Sequence, residues 1–348
     1  MIGHFERLPA IGRAVAGAAL LVAFAAVQPA GADPARWRAE WAKTDFSKSS
    51  VDFASILSGG PPKDGIPSID IPKFEKLAGG RASGWSADIG DTEAVISLAL
   101  GGDARAYPLR VLMWHEIVND TVGGKPVAVT YCPLCNAALV FERTLGGQVL
   151  DFGTTGKLRN SDLVMYDRQT ESWWQQFTGE AIVGALLGSE LKLVPSRLES
   201  FERFRNRFPE GRVLVPNDPG KRNYGANPYV RYDEIGSVPF LFRGDFPEGI
   251  QPMERVVAVE LEPGRFEAWQ LGLLRESGEI RTGDLVIRWE AGQASALDAA
   301  TVGGGRDVGN VTVQRRAGGR VEDVPYDVTF AFVFHAFRPN GKLHRGKL

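Results

Sequence analysis

The run Pro126 to Phe141, PVAVTYCPLCNAALVF, constrains the fold more than any other stretch. Two apolar, β-rich segments flank a Cys132-Pro-Leu-Cys135 unit that holds both cysteines of the chain. A strand, a tight knuckle and a second strand turn two sulfurs toward one point, as in zinc-ribbon knuckles. The residues that follow, ALVFERTL-GG-QVLDFG, alternate and break at Gly146-Gly147, which predicts a hairpin with a two-residue glycine turn. EAVISLAL predicts another strand, GGDARAYP a turn into a helix, and LRVLMWHEIVND, Leu109 to Asp120, that helix. SRLESFERFRNRFPEGRVL predicts an amphipathic helix and a strand. In the closing VPYDVTFAFVFHAFRP, one strand puts Val328, Phe330, Phe332 and Phe334 on one face and His335 on the other. With 41 glycines and 21 prolines to supply turns, the expected class is α+β, β-rich, with mainly antiparallel sheets.

The chain also resembles itself. TEAVISLAL, from Thr92, is echoed by MERVVAVEL, from Met253, and AYPLRVL by AWQLGLL. VAVTYCPLCNAAL is echoed by LVIRWEAGQASAL, which sets Cys132 against Glu290 and Cys135 against Gln293. Three blocks in one order fit an internal duplication whose second copy lacks the thiols, although alternating strands also resemble one another by chance. The expected organisation is a signal peptide over 1–32, a lead-in over 33–60, a main domain over 61–245 and a degenerate repeat lobe over 246–348.

Arg7 and Arg13 precede a fourteen-residue apolar stretch, Ala14 to Val27, followed by Ala30-Gly-Ala32. A basic start, a short apolar core and a small-residue cleavage site read as a secretory signal, and the stretch is short for a membrane span. The expected product is a soluble exported protein, periplasmic or secreted, with no stable membrane span in its mature chain. A net charge of −2 and no basic stripe argue against nucleic acid; other partners are not legible.

Export matters for the cysteines, because disulfides persist outside the cytosol. A four-residue loop gains only about 2 kcal/mol from closure, against roughly 5 for a 100-residue loop, so a staple is poorly placed here. Redox chemistry or metal ligation gains weight. Thioredoxin-type thiols sit at a helix N-terminus, whereas Cys135 precedes an alternating, strand-like run. For a metal, the missing donors are sought at His115, Met113, Glu116 or His335, with His115 favoured because its helix lies just upstream. Two thiolates with an imidazole or thioether suit zinc or copper. The competing reading is a binding or structural module with a small permanent disulfide, in which His115 is a hydrogen-bonded helix histidine.

Other motifs fail on inspection. HEIVN lacks the second histidine of a zinc-protease helix, GTTGK lacks the Ser or Thr of a phosphate loop, and Asn136 replaces the histidine of a haem-attachment site. No G-x-S-x-G elbow supports a serine hydrolase, which leaves hydrolysis with Glu116 or Asp167 as acid or base a distant third. A ligand pocket could draw on Tyr107, Glu116, Asn119, Asp167, Thr170, Ser172, Trp174 and Gln175; alternatively Asp167 and Thr170 cap a turn while Trp174 fills core.

KDGIPSIDIPKF, ARAYPLRVLMWHEIVND, VAVTYCPLCNAALVF and DFGTTGKLRNSDLVMYDRQTESWWQQFTGEAIVG together resemble the bacterial domain of unknown function 3179 family, from about Asp64 to Val215 with a looser tail to Phe337. The resemblance implies that Tyr107, Pro108, His115, Glu116, Cys132, Pro133, Cys135, Gly153, Gly156, Asp167, Thr170, Ser172, Trp174 and Gly179 occupy motif positions and that export signals are common; it implies no activity.

Overall fold

A computed structural model describes residues 34–346; the signal-peptide reading of 1–32 falls outside them. The chain is β-rich, with 41% of residues in strands against 13% in helices, and most strand pairs are antiparallel. Among the described residues no helix is long and apolar enough to cross a membrane.

Three sheets form from the first two thirds. One aligns Arg197–Ser200, Ala94–Leu100, Asp103–Pro108, Arg212–Val215 and Lys73–Lys76. A second aligns Lys192–Leu193, Ala137–Glu142, Lys125–Cys132 and Ile117–Val122. The third aligns Ile56–Ser58, Phe152–Arg159, Asp162–Asp167, Trp173–Gln175 and Ala181–Val183. One continuous core joins them, because strands such as Lys125–Cys132 are buried from Val127 onward and present apolar side chains to both faces. Trp37 and Trp41 of the lead-in close a separate aromatic cluster on Trp173.

Residues 255–344 build two more sheets in the same element order. Strands Ala94–Leu100 and Asp103–Pro108, helix Leu109–His115 and hairpin Ile117–Val122/Lys125–Cys132 correspond to Arg255–Glu262, Arg265–Gln270, Leu271–Ser277 and Glu279–Thr282/Leu285–Glu290. Each first hairpin is flanked by an antiparallel strand that runs directly into a seven-residue helix, Arg197–Ser200 into Phe201–Arg207 and Tyr326–Phe330 into Ala331–Phe337. A parallel strand then follows in both, Arg212 opposite Arg105 and Lys342 opposite Glu267. In one block the sequence alignment departs from this order: Ala294 to Leu297 form no strand, and the partner of Leu285–Glu290 is Asn310–Ala317.

Several element expectations are corrected. The helix from Leu109 ends at His115, because Glu116 turns left-handed at φ 56° and Ile117–Val122 is a β-branched strand paired to Lys125–Cys132. GGDARAYP is a glycine turn followed by a strand rather than by a helix, with Leu100 opposite Asp103. The closing strand stops at Phe330, and Phe332, Phe334 and His335 belong to helix Ala331–Phe337, whose Phe332, Val333, Phe334 and Phe337 are buried. GTTGK is a bulge inside Phe152–Arg159; Gly156 has φ 68°, and a Cβ there would meet the Pro61 carbonyl at 2.0 Å. The Gly146-Gly147 hairpin forms as expected, between Thr144–Leu145 and Gln148–Val149.

Candidate metal centre

The CPLC unit is the turn between Lys125–Cys132 and Ala137–Glu142. Cys135 N–H donates to Cys132 C=O (3.2 Å) and Asn136 N–H to Pro133 C=O (3.2 Å), while Asn136 sits left-handed at φ 51°. The strand Tyr326–Phe330 clamps the turn from behind. Thr329 Oγ1 donates to Cys135 C=O (2.8 Å), Asn136 Nδ2 to Val328 C=O (2.5 Å), and Ala138 N–H to Asp327 Oδ1 (3.1 Å).

A second hairpin tip meets the first. Phe152–Arg159 and Asp162–Asp167 are joined by Asn160-Ser161, both at positive φ (50° and 68°), the geometry of a two-residue primed turn. Ser161 pays for that backbone in strain, since a non-glycine residue is costly there. The turn delivers two groups to the sulfurs: Ser161 C=O, which accepts from Cys132 Sγ at 3.8 Å, and the Asp162 carboxylate. One ligand atom each from Cys132, Cys135 and Asp162 lie within 4.8 Å of one another, and all three residues are buried.

Asp162 Oδ2 accepts from Gln175 Nε2 (2.6 Å) and Phe177 N–H (2.9 Å), whereas Oδ1 is buried with no hydrogen-bond partner. Burial lifts its carboxyl to about 6 despite those donors. Burial also raises the Cys132 thiol and raises Cys135 well above the ordinary thiol range. Glu116, wholly desolvated at the end of its helix, is pushed up to about 8, first by burial and then by the charge of Asp162. Four acidic groups therefore share a dry volume, and the cation coupled to Asp162, Arg159, bonds Gln175 (3.3 Å) and makes no ion pair with the carboxylate. Two thiols and a carboxylate at this spacing are a donor set for a tetrahedral divalent ion: metal–sulfur bonds of about 2.3 Å and metal–oxygen bonds of about 2.1 Å place ligand atoms roughly 3.5–3.8 Å apart, reached by a small contraction.

The matching family model, described as protein of unknown function (DUF3179), spans residues 63–341. The chain belongs to this family. Cys132, Cys135, Asp162 and Glu116 all lie inside the matched span of this DUF3179 chain. No curated protein and no solved structure matches it.

The sequence expectation supplied His115 as third donor, and that ring is engaged elsewhere: Nδ1 bonds Pro67 C=O and Nε2 bonds Tyr224 Oη, each at 2.7 Å. Burial holds its imidazole below the usual range, in keeping with a neutral structural histidine. Met113 is a core residue, and His335 lies on helix Ala331–Phe337 outside the sulfur cluster.

The wider pocket set scatters. Tyr107 Oη donates to Asp120 (2.6 Å) beside Arg105. Asn119 ties its strand to Phe152 through both amide atoms (2.8 and 2.9 Å). Asp167 accepts from Thr170 N–H (2.6 Å) and Trp174 Nε1 (3.0 Å), and Thr170 Oγ1 meets Ser172 Oγ at 2.8 Å, so these groups cap a turn against buried Trp174. Of that set, Gln175 touches the centre through Asp162 and Glu116 lies within its field. Asp162 itself escaped the sequence reading; the available signal was Asn-Ser between two β-runs, a primed-turn dipeptide with an acid directly after it.

Proposed function

We propose that the protein binds a divalent metal, zinc in preference to copper, through Cys132, Cys135 and Asp162. The supporting observation is the buried convergence of two thiols and a carboxylate within 4.8 Å, with one carboxylate oxygen unpartnered. A cation would displace the thiol protons, turn the three groups into ligands and recover the desolvation their charged forms suffer. The third donor is hard oxygen, which favours Zn(II) over Cu(I). Three protein ligands leave a fourth position, and the Glu116 and Asp327 carboxyls are both coupled in charge to Asp162.

Thiol-disulfide cycling is the weaker reading. Both thiols are buried with raised pKa values, so neither offers a ready thiolate, and the sulfurs are not bonded to each other. We place the protein outside the cytosol on the composition of residues 1–32, where a metal site and free thiols need protection from oxidation; a folded, buried centre gives it.

Metal analysis tests this. Protein purified without chelators is expected to carry close to one zinc per chain, lost in Cys132→Ser and Asp162→Asn and retained in His115→Ala. Retention in Asp162→Asn with loss in His115→Ala would return the third ligand to the histidine.

A further inference from the structure

A cavity of about 450 Å³ lies between the cysteine-bearing sheet and the C-terminal sheet of Arg255–Glu262. Leu139, Phe177, Leu191, Leu193, Val259 and Phe266 give it apolar walls. That volume and lining match small-molecule pockets, which pair apolar walls with a few placed polar groups. Two polar side chains in the lining, Asp327 and Arg338, differ in what they offer a ligand.

Asp327 is 5% exposed; its Oδ1 accepts from Ala138 N–H, and its Oδ2 is buried with no hydrogen-bond partner. Arg338 is half-buried, with its guanidinium 3.7 Å from the centre of the Phe266 ring. Among the described residues no hydrogen bond or ion pair reaches that guanidinium. Glu180, Glu260 and Glu190 act on it through charge alone, and a partly desolvated cation stacked on an aromatic face leaves its N–H edge free for a planar anion.

We propose that this cavity binds a small monocarboxylate with an apolar body, its carboxylate held by Arg338 and its hydrocarbon by the apolar walls. Asp327, in the cavity wall, has its carboxyl pushed up to about 8 by burial and further by the charge of Asp162, which limits its repulsion of an anion. Glu190, Glu260 and Lys192 also line the cavity, but all three are exposed, where water screens them. A cationic ligand would bring like charge against Arg338 in the drier part.

Calorimetric titration of the full purified protein with decanoate, below its micellar range, tests it. Saturable binding of one decanoate per chain is expected, with decanol at least tenfold weaker and decylammonium showing none. Arg338→Met, which keeps the contact with Phe266, is expected to lose at least tenfold in affinity. Leu193→Trp, at a short two-residue edge strand, is expected to block the cavity; circular dichroism confirms that both variants fold and metal analysis that their zinc is unchanged. Absence of saturable decanoate binding to the folded wild type, wild-type affinity in both variants, or tighter binding of decylammonium would overturn the assignment.

Discussion

Cys132, Cys135, Asp162 and Glu116 each pay a desolvation cost that a bound cation would remove. In the metal-free protein their acid forms are favoured. Asp162 and Glu116 have folded pKa values of about 6 and about 8, both above the unfolded carboxyl range. The folded state thus binds more protons than the unfolded chain between about pH 4 and 8, and stability falls as pH rises through that window. Metal-free protein should melt at a higher temperature at pH 5 than at pH 8. Zinc should reverse that order, because it displaces protons from its ligands and binds best where they leave readily. Thermal melts with and without zinc at the two pH values check this; a metal-free melting point that rises toward pH 8 would contradict it. At this scale the sequence revealed the thiols through their spacing alone. Asp162 stayed hidden because its meeting with them depends on two hairpins separated along the chain, and no local pattern carries that pairing.

Elements, rather than single residues, aim the site. Glu116, Asn136, Asn160 and Ser161 all hold positive φ without being glycine, and all adjoin the centre or its two hairpin tips. Asp64, Glu171, Arg231 and Leu241 share that backbone, so four of the eight such residues described adjoin the site, where local strain is compatible with geometry held at some cost in stability. The matching helix in the C-terminal half ends at Gly278, also left-handed at φ 70°, where no side chain is burdened. Glu116→Gly should therefore stabilise the metal-free protein by about 1–3 kcal/mol, from relaxed backbone and a removed buried acid. A urea titration reads this as a higher midpoint; a lower midpoint would mean that Glu116 makes a stabilising contact. The same left-handed residue explains why the helix expected over Leu109 to Asp120 was too long. Apolar periodicity continues through Ile117 and Val118, yet β-branched pairing with Val129 and Thr130 takes those residues into a strand. Phe330 to Phe334 misled in the opposite direction, since a wholly apolar run has no readable period. The cysteine hairpin and the Gly146-Gly147 hairpin were legible because their turn chemistry is local.

Across the whole molecule, the strand that clamps the cysteine turn comes from nearly 200 residues downstream, with Thr329 bonded to Cys135. The C-terminal sheets are therefore part of the site's support. Thr329→Val leaves the Cys135 carbonyl unsatisfied in the core and should cost about 1–3 kcal/mol while weakening metal retention. Denaturant midpoints and residual zinc after dialysis measure both effects. For the same reason a fragment ending at residue 245 should neither retain zinc nor unfold cooperatively, which calorimetry of that fragment checks. Strands and seven-residue helices recur in one order in the two halves, and the counterpart of the thiol-bearing hairpin ends at Glu290. The most direct test of the central claim is zinc K-edge absorption on the purified protein. The expected first shell has two sulfurs at about 2.3 Å and the remainder oxygen at about 2.0–2.2 Å, with no imidazole scattering. A shell without sulfur, or one that contains imidazole in place of carboxylate oxygen, would contradict it.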